Sequence, residues 1–414
     1  MLTGFADRQM GLLGEKLGHS FSALIHPKLG DYSYKLMEVA KEDLAEFLEK
    51  KDFAGLNVTI PYKKQVMQYL DYIDPMAKKI GAVNTIKRAD GSLAGYNTDY
   101  AGFKYLLKRN GINIEQKKVL VLGSGGASAM IICVLEELGA KEIVVISRQG
   151  ENNYHNLFKH YDAQVIINAT PVGMYPQNYN SPVDISLFPK CESVVDIIYN
   201  PLRTKLIVEA MNLGLKTAGG LEMLVIQAAV SAEIWCEETI EETEMENIIA
   251  WLTQKMQNIV LIGMPGSGKT TIAKMLAQEL KREMFDMDEV FSEHFNKTPE
   301  EVINTEGEEV FRQMEQEIAQ MLGQKSGVII ATGGGTVTRK ENYFPLKQNG
   351  VIFYLKRDIS KLPKDGRPLS QKNDLNELYQ RRKTNYEYFA DFTIEMQPDN
   401  KENITAIINS IGVK

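Results

Sequence analysis

The sequence predicts an α/β protein in two successive parts, each built on a parallel sheet. Three observations carry that expectation. The 414 residues exceed what one ordinary core organises. Apolar strand-like runs alternate with helical segments over most of the chain. Twice, at Gly123 and again at Gly263, a glycine-rich loop lies between an apolar run and an amphipathic one.

Composition narrows the class. With 44% hydrophobic and 24% charged residues the chain falls among ordinary globular proteins, not disordered, collagenous or membrane ones. A net charge of -7 argues against nucleic acid or an anionic membrane as partner. Three cysteines, Cys133, Cys191 and Cys236, show no CxxC spacing and fit a reducing interior. The start lacks a basic stretch followed by an apolar run, and nowhere do eighteen apolar residues run together. A cytoplasmic protein with small-molecule substrates is the expectation.

Residues 1–100 read as a small α/β unit ending in the cluster GLNVTIPYKK, IGAVNTI and GYNTD, up to Asp99. A strand Lys118 to Leu122, the loop GSGGAS, a helix and the strand EIVVIS form one βαβ unit. The strands AQVIINAT and SVVDIIY follow, and a helix from Gly220 closes that part. The strand NIVLI at 258–262 opens a second series running through GVIIATGGG and GVIFYLKRD. Three domains result: 1–100, completed by helices at 221–256; 101–220, binding a dinucleotide; and 257–414. The glycine-poor junction EETEMENIIAWLTQKMQ favours a helix over a flexible tether, and with it a fixed orientation of the two halves.

In the second half, Gly263 to Thr270 spell GxxxxGKT between strand and helix, the context of a P-loop. Backbone N–H groups at Gly266, Ser267 and Gly268 would cradle phosphates of ATP, with Lys269 on the terminal phosphates. Thr270, followed by Thr271, would ligate Mg²⁺. Downstream come FDMDEV with Asp286 and Asp288, EEVFRQME with Arg312, ATGGG with Gly334 and Gly335, GRPL with Arg367, and RRKTNYEYFAD with Arg382. Taken singly, DMD reads as a solvated helix start and a helical arginine as a surface residue. Their joint order resembles the shikimate kinases over 257–414. That resemblance implies that Asp288, Gly334 and Gly335 hold the acceptor hydroxyls and that Arg312 and Arg382 pair with its carboxylate. It also implies that Asp286 orders Mg²⁺ and that Arg367 steadies phosphate from the lid. Two planar guanidinium forks suit a carboxylate. Between LKRDISKLPKDG and RPLS the chain is shorter than most shikimate kinases, so the lid is truncated.

In the first half, Gly123, Ser124, Gly125, Gly126 and Ala127 only partly match the dinucleotide fingerprint, but they follow a strand and open a helix. Ser147 and Arg148 stand where an NAD enzyme usually carries an acid; Arg148 favours NADP(H), because a guanidinium pairs with a 2′-phosphate. GHSFS, GLNVTIPYKK, GYNTD and GGLEMLVIQAA together resemble the shikimate dehydrogenases over about residues 8 to 250. The resemblance implies a Rossmann-like NADPH unit in which Thr170, within NATPVGM, and Gly220 lie at the cofactor. By the same resemblance Ser20, Ser22 and Thr59 hold substrate carboxylate and hydroxyls, and Asn84, Tyr199 and Gln227 are further substrate contacts. Lys63 and Asp99 are the implied catalytic pair. Otherwise Lys63 and its neighbour Lys64 read as solvated lysines and Asp99 as a helix cap. Ala23 departs from the usual SPxIH, and the short stretch from Arg148 to Asn168 points to a missing strand and helix.

The function these resemblances imply is reduction of 3-dehydroshikimate with NADPH, then ATP-dependent phosphorylation of shikimate. Two alternatives stand beside it: an NAD-linked quinate dehydrogenase fused to a kinase for another polyol acid, and a ligand-sensing regulator that has lost turnover.

Overall fold

The computed structural model describes residues 1–18, 20–362 and 375–412. The expected lid residue Arg367 lies outside the described residues. Packing divides the chain into two compact units, Met1–Asn200 with Thr204–Leu252, and Pro201–Arg203 with Thr253–Lys414.

The first unit contains two sheets. In the first, β1 (Gln9–Gly14), β2 (Ser33–Glu38), β3 (Gly55–Val58), β4 (Tyr72–Ile73), β5 (Thr85–Ala89) and β6 (Ser92–Tyr96) lie in the order β2-β1-β3-β5-β6-β4. β1 runs parallel to β2 and β3, whereas β5 is antiparallel to both β3 and β6. The reversal between β5 and β6 needs only Asp90 and Gly91, both at positive φ, which is the Asp-Gly hairpin chemistry.

The second sheet is wholly parallel: β7 (Lys118–Leu122), β8 (Glu142–Ile146), β9 (Val165–Asn168), β10 (Ser193–Asp196) and β11 (Lys216–Gly219), in the order β11-β10-β9-β7-β8. β9 and β10 are buried along their whole length, which explains their nearly unbroken apolar sequence. Between β8 and β9 the described secondary structure is a single helical turn, Leu157–His160, consistent with the shortening noted in the sequence. The run SVVDIIY does not continue as a strand to Tyr199. It leaves the ladder after Asp196, whose own carboxylate accepts the N–H of Ile198 at 3.0 Å and bends the chain locally. The helices Asp99–Arg109 and Gly220–Cys236 pack closely at Gly102, where an added Cβ would lie 2.8 Å from the Met223 carbonyl.

The second unit is built on one parallel sheet, β13-β14-β12-β15-β16, with β12 (Asn258–Ile262) central, β13 (Met284–Asp286), β14 (Ile329–Ala331), β15 (Gly350–Lys356) and β16 (Phe392–Glu395). The junction is helical as expected, a helix from Glu242 to Met256. Among the described residues no helix is long and apolar enough to cross a membrane.

Candidate active sites

In the first unit, Lys63 and Asp99 meet. Lys63 Nζ donates to Asp99 Oδ2 at 2.6 Å, with the two side chains 32% and 18% exposed, so the pair is sheltered yet reachable. Lys63 follows β3 and the turn at Pro61, and its carbonyl accepts the N–H of Val83 at 2.8 Å. Asp99 is not the cap of its helix. Thr98 holds the N-cap position and Asp99 the first turn, which frees the carboxylate for the lysine. Lys64 is exposed.

Asn84 joins this group: its Oδ1 accepts the Thr98 N–H at 2.7 Å, and its Nδ2 donates to Thr98 Oγ1 at 3.1 Å. Thr59 follows Val58, whose N–H donates to the Asn84 carbonyl at 2.8 Å. Ser20 Oγ accepts the N–H of Ser22 at 3.2 Å, and Tyr199 reaches that segment through Phe21, ring centroids 5.6 Å apart. Gln227 is buried, with its amide donating to the Leu224 carbonyl at 2.9 Å.

A buried polar lattice supports these residues. Asn57 Nδ2 donates to Ser231 Oγ at 2.8 Å, which lies 2.8 Å from Thr85 Oγ1 and 3.1 Å from Thr98 Oγ1, and which donates to the Gln227 carbonyl at 2.7 Å. His26 anchors the far end, its Nε2 3.0 Å from Asn57 Oδ1 and its Nδ1 2.8 Å from the Tyr32 hydroxyl. Complete burial pushes the His26 imidazole down to about 3, against a smaller opposing effect of the Asn57 hydrogen bond.

The dinucleotide loop follows β7, and its helix begins at Gly126 behind Gly125, three residues before the apolar run would suggest. Added Cβ atoms at Gly125 and Gly126 would meet nothing within 4 Å, so the helix N-terminus is open to an anion. Gly123, at φ +107°, lies against Thr170 and Ala169, and its N–H donates to the Ile146 carbonyl at 2.8 Å, next to Ser147. Arg148 is exposed beyond β8. Gly220 begins its helix directly over the Ile197 carbonyl, where a Cβ would sit at 2.0 Å.

In the second unit the P-loop turns between β12 and the helix Lys269–Leu280, with Gly263, Gly266 and Gly268 at positive φ. Lys269 Nζ donates to the carbonyls of Gly263 and Met264 at 2.9 and 3.0 Å. Ser267 Oγ is buried and has no hydrogen-bond partner among the described residues, an orphan donor that a phosphate oxygen would satisfy. Thr270 Oγ1 donates to Asp286 Oδ2 at 2.6 Å, while Asp286 Oδ1 accepts the Asp288 N–H at 3.0 Å. Asp286 is therefore both a helix cap and a partner of the P-loop.

The residues expected to hold the acceptor converge on one glycine loop. A Cβ at Gly335 would lie 2.2 Å from Arg312 Nη2, and one at Gly333 would lie 2.7 Å from Glu315 Oε1 and 3.4 Å from Asp288 Oδ1. Arg382 Nη1 donates to the Gly334 carbonyl at 2.9 Å, as does the Tyr386 hydroxyl at 2.5 Å. Arg312, 6% exposed, donates through Nη1 to Glu315 at 2.8 Å and through Nη2 to Glu308 at 3.0 Å. Asp288 is exposed to solvent beside this loop. Loss of hydration, with Asp286 and Glu315 adding like charge, pushes its carboxyl up to about 6.

Three groups escaped sequence reasoning. Glu315 sits in a charged helical run that reads as a solvated face. The lattice of His26, Asn57, Thr85 and Ser231 joins residues up to 205 positions apart, a separation visible only in the fold. Asp196 did leave a signal, an acid inside an apolar strand.

Comparisons with known proteins follow the same division. Residues 12–86 match the family described as "Shikimate dehydrogenase substrate binding domain", and residues 265–412 match "Shikimate kinase". A shikimate dehydrogenase (NADP(+)) of Clostridium beijerinckii is 42% identical over 268 residues, 60% of this chain and 96% of that protein. One from Methanococcus maripaludis is 39% identical over 258 residues, 55% of this chain and 90% of that protein. Among solved structures, a chorismate mutase/shikimate 5-dehydrogenase fusion protein from Clostridium acetobutylicum aligns with TM-score 0.58 and 41% identity, covering 60% of this chain and 98% of that one. The Thermus thermophilus shikimate 5-dehydrogenase in complex with NADP(H) and shikimate aligns with TM-score 0.54 and 33% identity, covering 58% and 98%. The chain belongs to the shikimate dehydrogenases, and it carries a shikimate kinase domain after that enzyme.

Proposed function

We propose that the first unit reduces 3-dehydroshikimate to shikimate and that the second phosphorylates a shikimate hydroxyl, with the residues above in the following roles. NADPH supplies the hydride and ATP the phosphoryl group. As hydride reaches the ketone carbon, the oxygen becomes an alkoxide; the Lys63 ammonium stabilises it and gives up a proton, while Asp99 holds the ammonium in place. Ser20, Ser22 and Thr59 bind the carboxylate side of the ring, and Asn84, Tyr199 and Gln227 its remaining oxygens. Gly123 to Ala127 receive pyrophosphate, Thr170 and Gly220 border the nicotinamide end, and Ser147 with Arg148 takes the 2′-phosphate.

In the second unit Lys269 would exchange its two loop carbonyls for phosphate oxygens, and Gly266 to Thr271 would cradle the anion. Thr270 and Asp286 would hold Mg²⁺, a cation that typically keeps few protein ligands beside phosphate. Asp288 accepts the proton of the attacking hydroxyl, and Arg312 and Arg382 fork onto the carboxylate. The domain limits that go with these roles are 1–100 with 221–256, 101–220, and 257–414.

The observation that carries this reading is that Asp288, Arg312 and Arg382, far apart in sequence, all face the single loop Gly333 to Gly335 beside the P-loop. The test supplies 3-dehydroshikimate, NADPH and ATP-Mg²⁺ to the full chain and follows both steps. Lys63→Ala is expected to lose reduction by about 10²- to 10⁴-fold and to keep ATP consumption on supplied shikimate. Lys269→Ala is expected to do the reverse. Loss of ATP consumption on supplied shikimate in Lys63→Ala would sink the two-site assignment.

A further inference from the structure

At the C-terminal edge of the second sheet, Asn168 ends β9 and Asp196 ends β10, and the two are direct partners across the parallel ladder. In open α/β sheets this edge is where ligands lie. Asp196 is fully buried, and three donors converge on its carboxylate. Asn168 Nδ2 at 2.9 Å and Thr204 Oγ1 at 2.7 Å reach Oδ2, and the Ile198 N–H at 3.0 Å reaches Oδ1. Asn168 then passes the constraint on. Its Oδ1 accepts the Thr170 N–H at 3.0 Å and the Thr170 hydroxyl at 2.7 Å, and its Nδ2 also donates to the Val172 carbonyl at 3.1 Å. On the other side the Ile198 carbonyl accepts the Gly220 N–H at 3.0 Å, and Tyr199 follows immediately. Gly173 closes the set, since a Cβ there would sit 3.2 Å from Thr204.

We infer that Asp196 is a positioning residue for the reduction: it clamps the 168–173 loop and the 197–204 loop to each other, fixing Thr170 against the cofactor and Tyr199 against the substrate. This rests on the roles proposed for Thr170 and Tyr199. The chemistry of the clamp is directional. Burial pushes the Asp196 carboxyl up to about 7 against the opposing effect of its hydrogen bonds, and above that pH the carboxylate accepts from all three donors at once, whereas an amide at this position would turn one N–H toward a neighbour that also donates. Asn168 cannot relieve that clash by flipping, because its Oδ1 is already engaged by Thr170. No group here contacts the reacting atoms, so the effect is on geometry, where small displacements are costly.

The test uses the full chain, with kinase activity on supplied shikimate measured beside reduction. Asp196→Asn is expected to raise the KM for NADPH and lower kcat, together by roughly ten- to a hundredfold in kcat/KM, with the kinase step unchanged. Thr204→Val, which keeps the shape of the side chain and removes one of the three donors, is expected to give a smaller loss of the same kind, again with the kinase step unchanged. Thr204→Ser, which keeps the hydroxyl, is expected to behave as the parent. Parent-like kinetics in Asp196→Asn overturn the inference, and so do parent-like kinetics in a folded Thr204→Val. Should Asp196→Asn fail to fold, Thr204→Val is compared with the parent directly and decides alone. Thr170→Ala and Tyr199→Phe separate the two layers: unchanged KM values in both remove the assigned roles, whereas altered KM values with an unaffected Asp196→Asn remove only the clamp.

Discussion

His26 makes the dehydrogenase unit acid-labile by an amount the structure sets. Its ring is completely buried, stacked on Tyr34 with centroids 3.8 Å apart and planes 11° apart, and packed against Trp235. The neutral tautomer satisfies both nitrogens: Nε2–H donates to Asn57 Oδ1, and Nδ1 accepts from the Tyr32 hydroxyl. None of its hydrogen-bond partners is a carboxylate, so nothing in direct contact compensates a charge. The unfolded chain takes up its proton near 6.5, whereas the folded chain holds it off until about 3. Between those values the unfolded state binds more protons, so stability falls as pH falls. Each unit of pH in that window is worth about 1.4 kcal/mol, so moving from pH 7 to pH 4.5 removes about 2.5 kcal/mol. His26→Phe keeps the stacked ring and lacks the titration. It leaves the Tyr32 hydroxyl without its acceptor, a cost of about 1–3 kcal/mol that does not depend on pH. Denaturant titrations of parent and variant from pH 7.5 to 4.5, following the dehydrogenase transition, should show the variant less stable at neutral pH. The gap should close by about 2.5 kcal/mol at the acid end. Parallel curves would refute the reasoning.

Two further predictions concern turnover. With the Asp288 carboxyl pushed up to about 6, the base form is lost as pH falls through that value. The kcat/KM of the kinase step should drop on the acid side near pH 6, and a profile flat down to pH 5 would remove Asp288 as the proton acceptor. Arg148, exposed at the end of β8, should set cofactor preference: Arg148→Ala is expected to raise the KM for NADPH roughly tenfold and leave that for NADH nearly unchanged.

What could be read from the sequence was whatever is local. The glycine loop after β12, its Lys269 and Thr270, and the strand-loop-helix at Gly123 are each set by fewer than a dozen adjacent residues. Backbone sterics and a helix N-terminus explain them without the rest of the chain. The placement of Asp99 in the first turn, with Thr98 at the cap, lay within the usual uncertainty of helix ends. What was not legible depends on long-range pairing. Glu315 is ordinary in its helix until Arg312 and Thr336 turn it inward, Thr336 donating at 2.8 Å. The end of β10 is hidden in the sequence because Ile197 and Ile198 continue the apolar pattern, while the buried carboxylate of Asp196 takes the Ile198 N–H away from the ladder. Periodicity reports burial, and burial alone does not distinguish a strand from the buried turn that follows it.

The two units also differ in how they would hold the same anionic ring, and the difference follows from their neighbours. In the kinase cleft a carboxylate must sit near a bound triphosphate, so like charge opposes binding unless fixed cations offset it. In the proposed roles Arg312 and Arg382 would meet that need because their forks are already oriented. Two donors of Arg312 are tied to Glu315 and Glu308, and one of Arg382 to the Gly334 carbonyl, which leaves the remaining N–H groups aimed with little rotamer freedom to lose. In the dehydrogenase cleft the proposed place for the pyrophosphate is Gly123 to Ala127, on the other sheet from Lys63, and the reacting end of the cofactor carries no phosphate. Under the proposed assignment, hydroxyls and amides at Ser20, Ser22, Thr59 and Asn84 would then suffice for the ring. Further fixed cations there would compete with Lys63 for Asp99 and weaken its hold on the ammonium.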